Sequence, residues 1–185
     1  MTSDSPEHQA LIRAAQAGDS QAFEKLLQLH YDRLYRFACK WCGNATDAED
    51  IAQQACIKLA RSLQQYRFEA AFSTWLYRLV VSCAIDWRRS EDRHQQTALG
   101  PPQPEMEAST SDSPESGIYL QQVLKRLESW GQGFKTTALL VLAEGLSHAE
   151  AAQVMEIKES TVSWRLHEIR KKLKHYEPRE GGDHE

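Results

Sequence analysis

The segment Tyr66–Arg93, YRFEAAFSTWLYRLVVSCAIDWRRSEDR, interleaves aromatic side chains with arginines. Where such groups are exposed, the rings can stack unpaired bases and the guanidinium groups can hold a single-strand backbone. Phe72, Trp75 and Trp87 fit a helical core better than a surface. Tyr66, Arg67 and Phe68 precede the helix in a loop and are the better candidates for base contact. A second basic concentration runs from Lys158 to Arg179, with seven basic and three acidic side chains. On a helix, that charge suits DNA phosphates. Cys39-Lys40-Trp41-Cys42 is a CxxC, but no second pair follows at zinc-site spacing, and Cys56 and Cys83 stand alone on apolar helix faces. His148 and His167 belong to no ligand set. No phosphate-binding glycine loop, paired carboxylates or Ser/His/Asp arrangement is visible. The chemistry on offer is binding rather than catalysis, with neither metal nor cofactor expected.

The chain that must position these groups has 185 residues, 41% apolar and 26% charged, with a net charge of −4. That is a globular composition with no run of the ~20 apolar residues needed to span a bilayer. The first residues lack the basic start and apolar stretch of a secretory signal. A cytoplasmic protein with reduced cysteines is expected. Residues 1–96 hold twelve basic and twelve acidic side chains, residues 97–117 four acidic and none basic, and residues 118–185 ten of each. Proteins that grip DNA alone usually carry a basic excess, so any nucleic-acid role here rests on local patches or a helper. The strip 97–117 also holds four of the six prolines and reads as a flexible linker. The last residues, 179–185, read as a disordered tail.

Both flanking blocks read as helical. Asp19 can cap a helix carrying Phe23, Leu26, Leu27, Leu34, Phe37 and Trp41. Thr46-Asp47-Ala48-Glu49 reads as a capping box before Ile51, Ala55, Leu59 and Leu63. Ser73 can cap a third helix bearing Leu76, Leu79, Val80, Cys83, Ala84 and Trp87. Ser147-His148-Ala149-Glu150 is another capping box, and Glu156-Ile157-Lys158 forms a tight connection to a longer helix. There Val162, Leu166, Ile169 and Leu173 step by four, three and four, which marks one buried face. Thr161, Ser163, Trp164, Arg165, Glu168 and Lys171 fall on or near the opposite face, with Ser160 as N-cap. Short helix, tight turn, longer basic helix is a helix-turn-helix pattern. Packing of Trp164 against the short helix is the alternative to base contact. No segment alternates as a strand would, so the fold class is all-α: two small helical domains and a linker.

Three separated segments, in order, resemble the extracytoplasmic-function (ECF) sigma factors. DAEDIAQQACIKLARSL (47–63) and AFSTWLYRLVVSCAIDWRR (71–89) resemble helices of sigma region 2, and GLSHAEAAQVMEIKESTVSWRLHEIRKKLK (145–174) resembles the region 4 helix-turn-helix. The resemblance spans about residues 7–176. Ser82 stands where Asn is common in the family, Ser163-Trp164 where Lys-Ser is common, and the start of region 4 lacks the usual proline.

The resemblance implies a region 2 bundle at 1–96, a linker at 97–117 and region 4 at 118–178. Asp47, Asp50, Gln53 and Gln54 would bind core RNA polymerase. Tyr66, Arg67, Phe68, Thr74, Ser82, Arg88 and Arg89 would read and open the −10 element. Ser160, Thr161, Ser163, Trp164, Arg165, His167, Arg170 and Lys171 would read the −35 element. The partners implied are core polymerase, promoter DNA and an anti-sigma factor that answers a stress or envelope signal. The chain would initiate transcription without being an enzyme. A stand-alone helix-turn-helix regulator with an N-terminal sensor or dimerisation bundle is the alternative, and an adaptor or redox switch built on the CxxC is a third.

Overall fold

The computed structural model describes residues 5–97 and 114–174. Most of the expected linker (98–113) and the whole expected tail lie outside these residues. Among the described residues every regular element is helical, as the sequence leads one to expect.

Helix α1 (Pro6–Gln16) starts with proline in its first turn, and the Ser5 side chain accepts the His8 N–H. Helix α2 (Ser20–Cys42) is capped by Asp19, which accepts the N–H groups of Gln21 and Ala22. It stops at Gly43, whose φ of +85° suits a residue without a Cβ. Helix α3 (Ala45–Ser62) is capped by Asn44 rather than by Thr46. Gly43 turns the chain so sharply that Asn44 is already extended, and its Oδ1 accepts the Asp47 N–H at 2.8 Å. Thr46 is thereby placed inside the first turn. A 3₁₀ turn (Leu63–Gln65) and a loop lead to α4 (Phe72–Thr97). Ser73 is not its cap: the Ala71 carbonyl already accepts the Trp75 N–H, and fully buried Phe72 anchors the first turn.

The second block opens with α5 (Pro114–Ser129), so two ends of the expected linker are helical: Thr97 closes α4, and residues 114–117 start α5. Helix α6 (Phe134–Ala138) runs on as a π-helical turn, Leu139–Ala143. Helix α7 (His148–Met155) has the expected capping box between Ser147 and Glu150. Hydrogen bonds from Ser147, and a further one from Thr74, hold the Glu150 carboxyl below the usual range. Glu156, at φ +54°, ends α7 and leads into α8 (Glu159–Leu173). The cap position of α8 belongs to extended Lys158, so Ser160 is the second helical residue and not the N-cap.

Phe37, Phe72, Leu26, Leu34, Ile51, Leu59 and Leu76 are buried in the first bundle, and Leu127, Leu139, Leu140 and Leu166 in the second. Burying each such side chain contributes about 1.5–3 kcal/mol. The two bundles also meet. Glu144, presented by the end of the π turn, accepts from Lys40 Nζ at 2.7 Å and from the Tyr77 hydroxyl at 2.5 Å. Burial and this carboxylate push the Tyr77 phenol well up from its ordinary value. Arg78 on α4 donates to the Gln153 carbonyl of α7 at 2.8 Å and lies 3.6 Å from Glu156.

Candidate nucleic-acid interface

The loop before α4 and the first turns of α4 enclose a cleft of about 380 Å³. Tyr66, Arg67, Glu69, Thr74, Trp75 and Arg78 line it, and Gln153 of α7 closes one side. Tyr66 is not the accessible ring expected of a loop residue. It is 7% exposed, wedged against Phe68, Phe72 and Trp75, and its hydroxyl donates to the Ala70 carbonyl. Without that wedge the loop would leave an apolar gap over Phe72. Phe68 is half-buried at φ +60°, a conformation uncommon for a bulky side chain. Arg67 is exposed and free to reach a strand. Thr74 is only 4% exposed because α7 lies over that face of α4.

The remaining −10 candidates are spread along α4. At 1.5 Å per residue, about 20 Å of helix separates Thr74 from Arg88. Ser82 accepts the Lys58 ammonium at 2.5 Å, and Arg88 lies between Asp92 at 3.1 Å and Glu128 at 3.7 Å. Arg89 is largely exposed, 3.9 Å from Asp86. The structure therefore gathers Tyr66, Arg67 and Thr74 at one cleft, packs Phe68 between Tyr66 and Arg13, and leaves Ser82, Arg88 and Arg89 outside it.

On α3, Asp50, Gln53 and Gln54 are exposed. Asp47 is half-buried and accepts from the Asn44 side chain, so part of its charge serves the helix cap. Asp50 and Gln54 also border a groove between α3 and α4 whose floor includes Ile51, Cys83 and Trp87.

The buried stripe of α8 is as read from its spacing: Val162, Leu166 and Ile169 are buried, and Leu173 packs at its edge. Ser160, Ser163, Trp164, His167, Arg170 and Lys171 are exposed, with Thr161 half-buried. Trp164 is 54% exposed, and its ring stands steeply against that of Phe134 on α6, 5.7 Å between ring centres. Ser163 shares a 2.9 Å hydrogen bond with His148 Nδ1, which ties the two helices of the pair. Arg165 departs from the expected phosphate contact. Its guanidinium packs over Gly133 and leaves no room for a Cβ there, and burial lowers its pKa.

The cysteines are poorly placed for thiolate chemistry. Cys39 is buried, and the Cys42 thiol donates to the Ala38 and Asn44 carbonyls. Burial pushes the Cys42 thiol up to about 11, the wrong direction for a nucleophile or ligand. Two cleft residues escaped sequence reading. Arg78 sits four residues after Thr74, a spacing that puts both on one helix face and could have flagged it. Gln153 arrives from the other block, and no local pattern announces it.

Comparison with known proteins accounts for both blocks. Residues 26–94 match the family "Sigma-70 region 2" and residues 138–173 match "Sigma-70, region 4". The chain is 32% identical over 182 residues to the ECF RNA polymerase sigma factor SigE of Mycolicibacterium smegmatis, covering 94% of this chain and 69% of that one. It is 31% identical over 163 residues to the ECF sigma factor SigM of Mycobacterium tuberculosis, covering 88% and 81%. The fold resembles that of CnrH in complex with the cytosolic domain of CnrY (TM-score 0.67, 21% identity, 89% of this chain and 93% of that one). It also resembles the sigma factor RpoE from Bartonella quintana, solved with the anti-sigma factor NepR (TM-score 0.64, 20% identity, 82% and 94%). With both conserved regions matched in order and relatives above 30% identity aligned over most of their length, the chain belongs to the ECF RNA polymerase sigma factors.

Proposed function

We propose that this sigma factor reads a promoter with two differently built surfaces while core RNA polymerase holds α3. Region 2, residues 1–96, takes an unpaired base of the −10 element into the cleft between the Tyr66–Ala71 loop and α4. Arg67 and Arg78 hold the strand there, and Tyr66 forms the cleft wall. Region 4, residues 118–178, lays α8 in the major groove at −35, where Ser163 and Trp164 face base edges and Arg170 and Lys171 hold phosphates. Residues 97–117 span between them. The observation that carries this reading is the region 2 side of the cleft: Tyr66 and Trp75 form aromatic walls, with Arg67 and Arg78 beside them. That suits a flipped base, whose unstacking costs a few kcal/mol.

The two surfaces cannot be used together in the arrangement described above. The −35 and −10 elements are separated by roughly 25 base pairs at about 3.4 Å each, roughly 85 Å, whereas α7 touches α4 and covers Thr74. Region 4 must therefore leave region 2 when the chain engages a promoter. By analogy with the two solved complexes, a regulatory protein holds the chain until a signal arrives. The work is done in the cytoplasm, with no covalent chemistry by this chain. Asp50→Arg with Gln53→Ala tests the polymerase face. A folded variant should lose core binding and run-off transcription, and unchanged affinity would remove α3 from that role.

A further inference from the structure

Helix α1 precedes the matched region 2 segment, which begins at residue 26, yet it holds the loop on which the cleft depends. The Gln16 side-chain amide donates to the Leu63 carbonyl at 2.9 Å and to the Tyr66 carbonyl at 2.8 Å. Both donors of one amide are thus spent on the two ends of the turn that launches the loop. One helical turn earlier, the Arg13 guanidinium lies 4.3 Å from the centre of the Phe68 ring. Phe68 is the residue at φ +60°. A bulky residue keeps that backbone only where its surroundings impose it. Here the surroundings are Arg13 on one side and the Tyr66 ring, 4.8 Å away, on the other.

We infer that Arg13 and Gln16 are positioning residues for strand capture: they hold the Tyr66–Ala71 loop in its open-cleft shape before a base arrives. This rests on the reading of the cleft as the −10 base site. A loop already in its bound shape loses less freedom when it binds, so the bracing should appear in promoter opening and not in polymerase affinity.

The test uses the full chain with core polymerase. Gln16→Glu keeps the size of the side chain but replaces the donor nitrogen with an oxygen that faces two carbonyls. Gln16→Lys restores a donor. Arg13→Met, at an exposed position, keeps the apolar stem, loses the charge and leaves the fold intact. In Gln16→Glu and Arg13→Met, amide exchange of residues 66–71 should speed up about tenfold while α2 and α3 are unchanged. Permanganate reactivity of −10 thymines should appear about tenfold more slowly at unchanged core affinity, and Gln16→Lys should recover it. Unchanged exchange, or faster exchange with normal opening, would overturn the bracing role. Arg67→Ala with Arg78→Ala, which alters the cleft and leaves the brace alone, separates the two ideas. If that variant opens promoters normally, the cleft reading fails and the capture role of the brace fails with it. If it blocks opening while Gln16→Glu and Arg13→Met open normally, only the brace fails.

Discussion

In the proposed function the cleft of region 2 and the outer face of α8 share one kind of task, and their construction is opposite. At the cleft the aromatic groups are structural: Tyr66 is 7% exposed, and its neighbour Phe72 is fully buried. Shape comes from an irregular loop tied down by side-chain hydrogen bonds to its carbonyls. On α8 the helix is regular, the apolar stripe is hidden, and Trp164 stands out at 54% exposure. A flipped base needs a preformed hole, whereas a major groove needs a row of side chains on a rigid rod. The difference teaches that an aromatic residue near DNA can act as wall or as reader, and burial separates the two.

Substitution should make that contrast measurable. The largest effect belongs to Tyr66→Ala, which should lower the unfolding free energy by about 3–5 kcal/mol, as for other buried aromatics. Trp164→Ala should stay within about 1 kcal/mol in the same urea titration. Equal losses would erase the distinction between wall and reader. Next comes the pH dependence of the bundle beneath the cleft. His30, bonded to His8 at 2.8 Å and packed on Phe72, has its pKa lowered to about 4 by burial and by the charges of His8 and Arg33. The unfolded imidazole takes its proton near pH 6.5 and the folded one only near 4. Stability is therefore fully present above pH 6.5 and falls as pH drops towards 4, by about 2–3 kcal/mol. His30→Gln should flatten that slope in chemical denaturation across the window.

Smaller effects are expected at region 4. Ser163→Ala or Trp164→Ala should alter preference at one or two −35 base pairs by about 1–3 kcal/mol, while Arg170→Ala should weaken all −35 sequences alike. Competition binding by holoenzyme on a set of −35 variants reads both. The smallest belongs to the contact between regions. Glu144→Gln leaves Lys40 without its ion-pair partner and should favour separation of the bundles by about 1 kcal/mol, seen as lower transfer efficiency between dyes on α2 and α8.

What was legible in the sequence follows the same contrast. On a regular helix, spacing converts directly into faces, so periodicity alone places Val162, Leu166 and Ile169 inward and Ser163, Trp164 and Lys171 outward. The caps at Asp19 and Ser147 were readable because each obeys a local rule. Thr46, Ser73 and Ser160 satisfied that rule too, but a tight glycine turn, a buried phenylalanine and an extended lysine moved the boundaries by one or two residues. The burial of Tyr66 is not legible from its loop position, because the path that folds its ring onto Phe72 and Trp75 is set by Gln16, which holds the Tyr66 carbonyl from far along the chain. The tucked Arg165 and the reach of Gln153 are likewise tertiary facts with no signature of their own.

The most direct test of the two-surface account is a permanganate footprint of promoter DNA bound by holoenzyme carrying Arg67→Ala with Arg78→Ala. The account predicts normal core binding and normal −35 occupancy, with −10 thymines left unreactive. Wild-type thymine reactivity in that variant would contradict it.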